Sequence, residues 1–301
     1  MEGCLTVQEV LNKYITGCVA KMQMTMGRLF GKAILAGMMI ALGACASSVA
    51  AHTIPDVGLA RLAAAVVFPV GLMMVVLLGG ELFTGDCLAA MSIFDGTHKI
   101  KTIVKFLVVV ILGNLFGATM LAIMVSLSGQ LDYSAGMLGA YTIKVAAGKV
   151  GLTFTEGIVS GILCNILVCA AVLMAMCAKD VTGKLMACFF VIMLFVTAGF
   201  EHCVANMYYI TAGMLAMETY GFTAEQLGQL NLYHYFVTNL LPVTIGNTLG
   251  GIVFLGGPLF YLHAANKPLY ETIVQNIKTN IEKEDGNNDF IYSDFPDGFS
   301  C

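Results

Sequence analysis

Long apolar runs separated by short polar stretches organise this chain, and two of the runs are interrupted by a carboxylate. Asp, Glu, Lys and Arg are absent from 33–55, 62–80, 106–131, 157–178, 185–200, 202–217 and 226–266. A membrane-spanning helix needs about 20 apolar residues, and 33–51, 106–128, 157–178 and 234–263 each supply one. The stretches 62–94 and 185–217 are too long for one straight helix, and Glu81 and Glu201 interrupt them. Each reads as one crossing made of two half-helices joined by a non-helical segment. The pattern predicts an all-α integral membrane protein with six transmembrane helices, of which spans two and five are broken.

The two interruptions match. Gly79, Glu81 and Asp86 lie 120 positions before Gly199, Glu201 and Asn206. Similarity extends to the flanking spans. Ile34-Leu35-Ala36-Gly37 resembles Ile158-Val159-Ser160-Gly161, and Gly113-Asn114 with Gly117 resembles Gly246-Asn247 with Gly250. Each half holds three crossings, an odd number, so the second copy must lie upside down in the membrane. Repeat one is placed at 28–131 and repeat two at 150–266, within a channel domain of residues 28–268. A carboxylate at mid-membrane costs about 2.5–3.5 kcal/mol on insertion scales and marks function by default. Broken helices at equivalent places in an inverted repeat build permeation sites.

Composition narrows the class. Of 301 residues, 58% are hydrophobic and 11% charged, against about 25% charged in ordinary soluble domains. That excludes a soluble enzyme and offers no basic surface for nucleic acid. Twelve of the 15 basic residues fall on one side of the predicted crossings, leaving Arg61, Lys144 and Lys149 on the other. The positive-inside rule then places both termini in the cytoplasm of a multi-pass inner-membrane protein. Residues 1–27 carry apolar positions at helical spacing and read as an amphipathic helix lying at the cytoplasmic interface. The polar, acidic stretch 269–301 reads as a disordered tail. Ten cysteines without a Cys-x-x-Cys pair predict neither disulfides nor a metal site, and no cofactor motif is present.

The breaks carry the candidate chemistry. In Gly79-Gly80-Glu81-Leu82-Phe83-Thr84-Gly85-Asp86, glycines permit the turn and Glu81 can accept from the backbone donors it frees. Thr84 supplies a hydroxyl inside the break. In Gly199-Phe200-Glu201-His202-Cys203-Val204-Ala205-Asn206, Glu201 is expected to cap its half-helix, and His202 can donate a hydrogen bond or a proton to an anion. Lys144 and Lys149 would draw anions toward the outer mouth.

At these residues the chain resembles the formate/nitrite transporter family. The carrying motifs are Glu81-Leu82-Phe83-Thr84, the run 161–169, the run 199–207, and Pro242-Val243-Thr244-Ile245-Gly246-Asn247, spread over all six crossings. Within the family the resemblance runs to the clostridial hydrosulfide channels, with a departure at Asp86-Cys87. The resemblance implies an aquaporin-like protomer in a homopentamer, each protomer with its own pore. It implies a cytoplasmic slit of Phe68, Leu72 and Val168 and an outer slit of Leu82, Phe83 and Phe195. The chamber between them would hold His202 and Thr84, with Lys149, Asn206 and Asn165 as polar positions near the path. The expected cargo is a small monovalent anion of a weak acid: hydrosulfide foremost, then formate and nitrite. A proton-coupled formate or nitrite carrier of the same family is the alternative. A water pore with paired Asn-Pro-Ala turns fits less well, since neither break contains proline.

Overall fold

The computed structural model describes residues 3–220 and 230–263. The expected tail at 269–301 and the last residues of the expected channel domain lie outside them. Ten helices follow in order among the described residues, besides a short 3-10 turn at Gln130–Asp132. They are α1 Val7–Gln23, α2 Met26–Ala51, α3 Val57–Leu78, α4 Phe83–Phe94, α5 Ile100–Leu127, α6 Met137–Val150, α7 Phe154–Cys177, α8 Val181–Ala198, α9 Cys203–Tyr220 and α10 His234–His263. Six of them (α2, α3, α5, α7, α8 and α10) are long and apolar enough to cross a membrane, while α4 and α9 are the second halves of the broken crossings.

Local signals set the ends. Thr25, Thr153, Asp56 and Asp180 cap α2, α7, α3 and α8, each side chain accepting from a first-turn amide. Gly79 and Gly199 end α3 and α8 in the left-handed conformation, at φ +84° and +77°. A residue with a Cβ adopts that region at a cost, so glycine at both stops is a requirement of the turn.

The five elements α1–α5 recur as α6–α10, and close packing fixes the correspondence. Gly113 and Gly117 of α5 press onto the backbone of Phe30 and Ile34 in α2, leaving no room for a Cβ. Gly246 and Gly250 of α10 press in the same way onto Ile158 and Ile162 of α7. Small residues are what let membrane helices approach this closely. The glycine–asparagine motif therefore matches as read from the sequence. The partner strip does not: Ile34 corresponds to Ile162, where the sequence pairing set it against Ile158. Four residues are about one helical turn, so the sequence match found the right face one turn too early.

The same offset of 128 relates Thr25 to Thr153 and Lys21 to Lys149, so α1 and α6 are also counterparts. Both lysines sit in the last turn of their helices. The sequence-based limits at 28 and 150 excluded both helices from the repeats. On α1, Val10, Leu11, Tyr14, Cys18 and Lys21 are all buried. Those positions form one helical stripe, and it packs into the chain's own interior.

Candidate permeation site

Breaking a helix inside an apolar medium strands backbone groups, and each must be satisfied by protein. One asparagine does this at each break. At the first, Asn114 Oδ1 accepts from Phe83 N at 2.9 Å, while its Nδ2 donates to Glu81 O at 2.9 Å and Ala33 O at 2.7 Å. At the second, Asn247 Oδ1 accepts from Cys203 N at 2.9 Å, and its Nδ2 donates to Glu201 O at 2.9 Å and Gly161 O at 2.8 Å. Glu81 N donates to Lys32 O, and Glu201 N donates to Ser160 Oγ. The expectation that Glu81 and Glu201 would take the freed amides is corrected here. An amide side chain offers both a donor and an acceptor, which a carboxylate cannot.

The carboxylates bind lysines instead. Lys21 Nζ lies 2.8 Å from Glu81 Oε2 and 2.6 Å from Asp86 Oδ1. Lys149 Nζ lies 3.0 and 3.1 Å from the two oxygens of Glu201. Asn206 Nδ2 also donates to Glu201 Oε2, at 2.6 Å, and to Asn239 Oδ1 at 2.9 Å. Lys144, the other lysine expected to steer anions, is exposed and takes no part.

The two breaks are displaced toward opposite ends of the bundle. The first lies beside the early turns of α2, at Lys32 and Ala33. The second lies beside the early turns of α7, and Arg61 packs against Gly199. Their inner ends nevertheless meet. Thr84 Oγ1 and His202 Nε2 are 3.0 Å apart, with both residues buried. His202 Nδ1 accepts from Ala205 N at 3.1 Å, which requires the ring to be neutral with its proton on Nε2. The imidazole thus caps the start of α9 with one nitrogen and points an N–H at Thr84 with the other. Behind Thr84, Asn165 Nδ2 donates to Thr84 O at 3.1 Å and to Asn247 O at 2.6 Å.

A cavity of about 280 Å³ opens above this pair, with Arg61, Lys149, Tyr209, Phe68, Phe195 and His202 among its lining residues. Phe195 stacks on His202 with ring centroids 6.0 Å apart. Phe68 meets Phe195 edge-on at 5.5 Å. That contact corrects the slit assignment, which had put Phe68 and Phe195 at opposite ends. Helix α3 starts at the Arg61 end, so Phe68 precedes the break on that side. Leu82 and Phe83 follow the break, toward Lys21. Phe68 therefore exchanges ends with Leu82 and Phe83. Leu72, Leu82, Phe83 and Val168 are all buried.

Sequence reasoning missed Lys21, Arg61, Tyr209 and the capping role of the two asparagines. Lys21 carried a usable signal, standing 128 positions before Lys149 as Thr25 stands before Thr153.

Known proteins converge on one family. The model described as formate/nitrite transporter matches residues 8–261. A formate channel of Haemophilus influenzae is 38% identical over 207 residues, 66% of this chain and 73% of that protein. A probable formate transporter of Methanothermobacter thermautotrophicus is 34% identical over 256 residues, 79% of this chain and 89% of its own length. Among solved structures, a pentameric formate channel with formate bound superposes with a TM-score of 0.71 at 32% identity, covering 79% of this chain and 96% of that one. The family match and these identities leave one conclusion: the chain belongs to the formate/nitrite transporter family.

Proposed function

We propose that this multi-pass membrane protein is a channel for small monovalent anions of weak acids, working as a homopentamer with one path through each protomer. The observation that carries the reading is the Thr84–His202 hydrogen bond. It joins the two breaks at a buried polar point between the cavity lined by Arg61, Lys149 and Glu201 and the Lys21 cluster. Formate is the first substrate, because the relatives described above are formate channels or transporters. Hydrosulfide and nitrite share its charge, size and weak-acid chemistry and belong to the same class. Both termini lie on the lysine-rich, cytoplasmic side.

An anion stripped of water among phenylalanines would face a large Born cost. Arg61 lowers it at one mouth by favouring negative charge in the cavity, while Lys149 and Glu201 cancel in charge there and leave Lys149 as an N–H donor. Past Phe68 and Phe195, a neutral His202 offers the anion a hydrogen bond from Nε2, the same N–H that meets Thr84 at rest. Thr84 can rotate its hydroxyl to donate as well. A small weak acid also crosses the apolar slits at lower cost when it is protonated in transit.

The test is stopped-flow flux of formate, nitrite and hydrosulfide through the purified protein in liposomes, with and without a pH gradient. A channel passes them down their own gradients without any pH gradient. Uptake that requires an inward proton gradient would favour the proton-coupled carrier.

A further inference from the structure

Seven of the nine cysteines among the described residues are buried; the other two, Cys4 and Cys177, are exposed and half-buried. These two are far apart in sequence and form no Cys-x-x-Cys pair, yet the fold brings them side by side. Cys177 is the last residue of α7, so its carbonyl is one of those that a helix end leaves without a partner inside the helix. Leu5 N fills it at 2.9 Å. Beside that bond, Cys4 pairs with Ala178 in an isolated antiparallel bridge. Ala178 is extended, at φ −72° and ψ 135°, and so is Thr6 where it caps α1.

Opposed residues of an antiparallel pair have Cα atoms about 5 Å apart, and successive residues rise about 3.4 Å. Cys4 and Cys177 are diagonal neighbours across the bridge, which puts their Cα atoms about 6 Å apart. A disulfide spans about 4.4–6.8 Å between Cα atoms, so the pair falls inside its reach. Apart from burial, Cys4 is the group that acts on the Cys177 thiol. Both flanks are fixed. On one side a capping box of Thr6 and Glu9 starts α1, and on the other Asp180 caps α8. Neither cysteine sits on a long loop that would have to be ordered before the sulfurs could join.

We propose that Cys4 and Cys177 are a reversible thiol–disulfide site that fastens the start of α1 to the end of α7 in an oxidising medium. The oxidant is a low-molecular-weight disulfide of the glutathione type. The exposed Cys4, as thiolate, attacks one sulfur of it and expels one glutathione thiolate. The Cys177 thiolate then attacks the Cys4 sulfur of that mixed disulfide and expels the second. Two protein thiols lose two protons and two electrons, and the glutathione disulfide gains them to become two thiols. Excess thiol reverses the exchange. The bond bears on the first break from both sides. Helix α1 carries Lys21, which binds Glu81 and Asp86, and α7 carries Asn165, which holds Thr84 O. With the disulfide closed, these two supports cannot part at that end. The site is independent of what the path carries.

The full-length protein carrying Cys301→Ser, equilibrated in glutathione buffers from reduced to oxidised, tests this. Mass spectrometry of a non-reduced digest should show the Cys4 peptide joined to the Cys177 peptide after oxidation. A polar maleimide that labels Cys4 and Cys177 in the reduced protein should then label neither. The closed bond encloses more than half of the chain, and long loops gain most from a cross-link. The midpoint of thermal unfolding should therefore rise by about 5–10 °C, and dithiothreitol should return it. Cys4→Ser and Cys177→Ser should each abolish both the joined peptide and the rise. A Cys4 that stays free in the oxidised protein, or pairs with a different cysteine, would overturn the proposal. So would a joined pair that unfolds at the same temperature as the reduced protein, since the bond would then fasten nothing.

Discussion

Asn114→Ala should lower the stability of the protein by about 2–6 kcal/mol and abolish anion flux. Two groups are stranded, the amide of Phe83 and the carbonyl of Glu81, while Ala33 O lies inside α2 and keeps its helical partner. Each buried orphan costs roughly 1–3 kcal/mol, and Glu81 and Phe83 are both buried. Asn114→Asp is the sharper comparison, since it keeps the shape and the acceptor for Phe83 N. It replaces the donating amide nitrogen with an oxygen facing two carbonyl oxygens, so it should be no better than alanine. Asn247→Ala should reproduce the loss at the second break, where the bonds are the same in kind and number. Thermal unfolding in detergent, followed by formate flux in liposomes, measures both effects. If Asn114→Ala retained wild-type stability, the asparagine could not be what holds the first break together.

The second large effect concerns Lys149. Removing one partner of a buried ion pair costs about 3–5 kcal/mol, because the other charge is left uncompensated. Lys149→Met should do this to Glu201, whose remaining donor is Asn206. The double variant Lys149→Met/Glu201→Gln should recover most of the lost stability, since no charge is then stranded. The net charge of the cavity is unchanged in the double variant, yet it should not recover flux, because the methionine has no N–H to offer an anion where Lys149 did. Stability and transport thus separate. Recovery of both would make Lys149 a packing residue only, and recovery of neither would mean that the pair is not the interaction at stake. Unfolding curves and formate flux for the two singles and the double complete the comparison.

The sequence displayed the breaks clearly, because a carboxylate in an apolar run and a left-handed glycine are both local signals. Gly79 with Glu81 and Gly199 with Glu201 needed nothing else to be found, and their common offset of 120 exposed the duplication. Lys21 was hidden for the opposite reason. Its partners Glu81 and Asp86 stand 60 or more positions away, and among Lys13, Arg28 and Lys32 it looked like one more charge at a membrane edge. The role of Asn114 and Asn247 was equally invisible, since most of their partners are backbone atoms with no signature in sequence. The one-turn error between Ile158 and Ile162 arose because four residues return a helix to nearly the same face. Pairing Phe68 with the wrong slit was an error of direction along α3, which the Phe68–Phe195 contact settles.

Formate flux through Thr84→Val/His202→Phe in liposomes tests the central claim most directly. Both replacements keep approximate volume and remove the polar meeting point of the two breaks. An anion deprived of such a hydrogen bond loses about 1.5–3 kcal/mol, so flux should fall by about tenfold to a hundredfold while the protein stays folded. Wild-type flux through a folded double variant would mean that anions cross the protein without passing between Thr84 and His202.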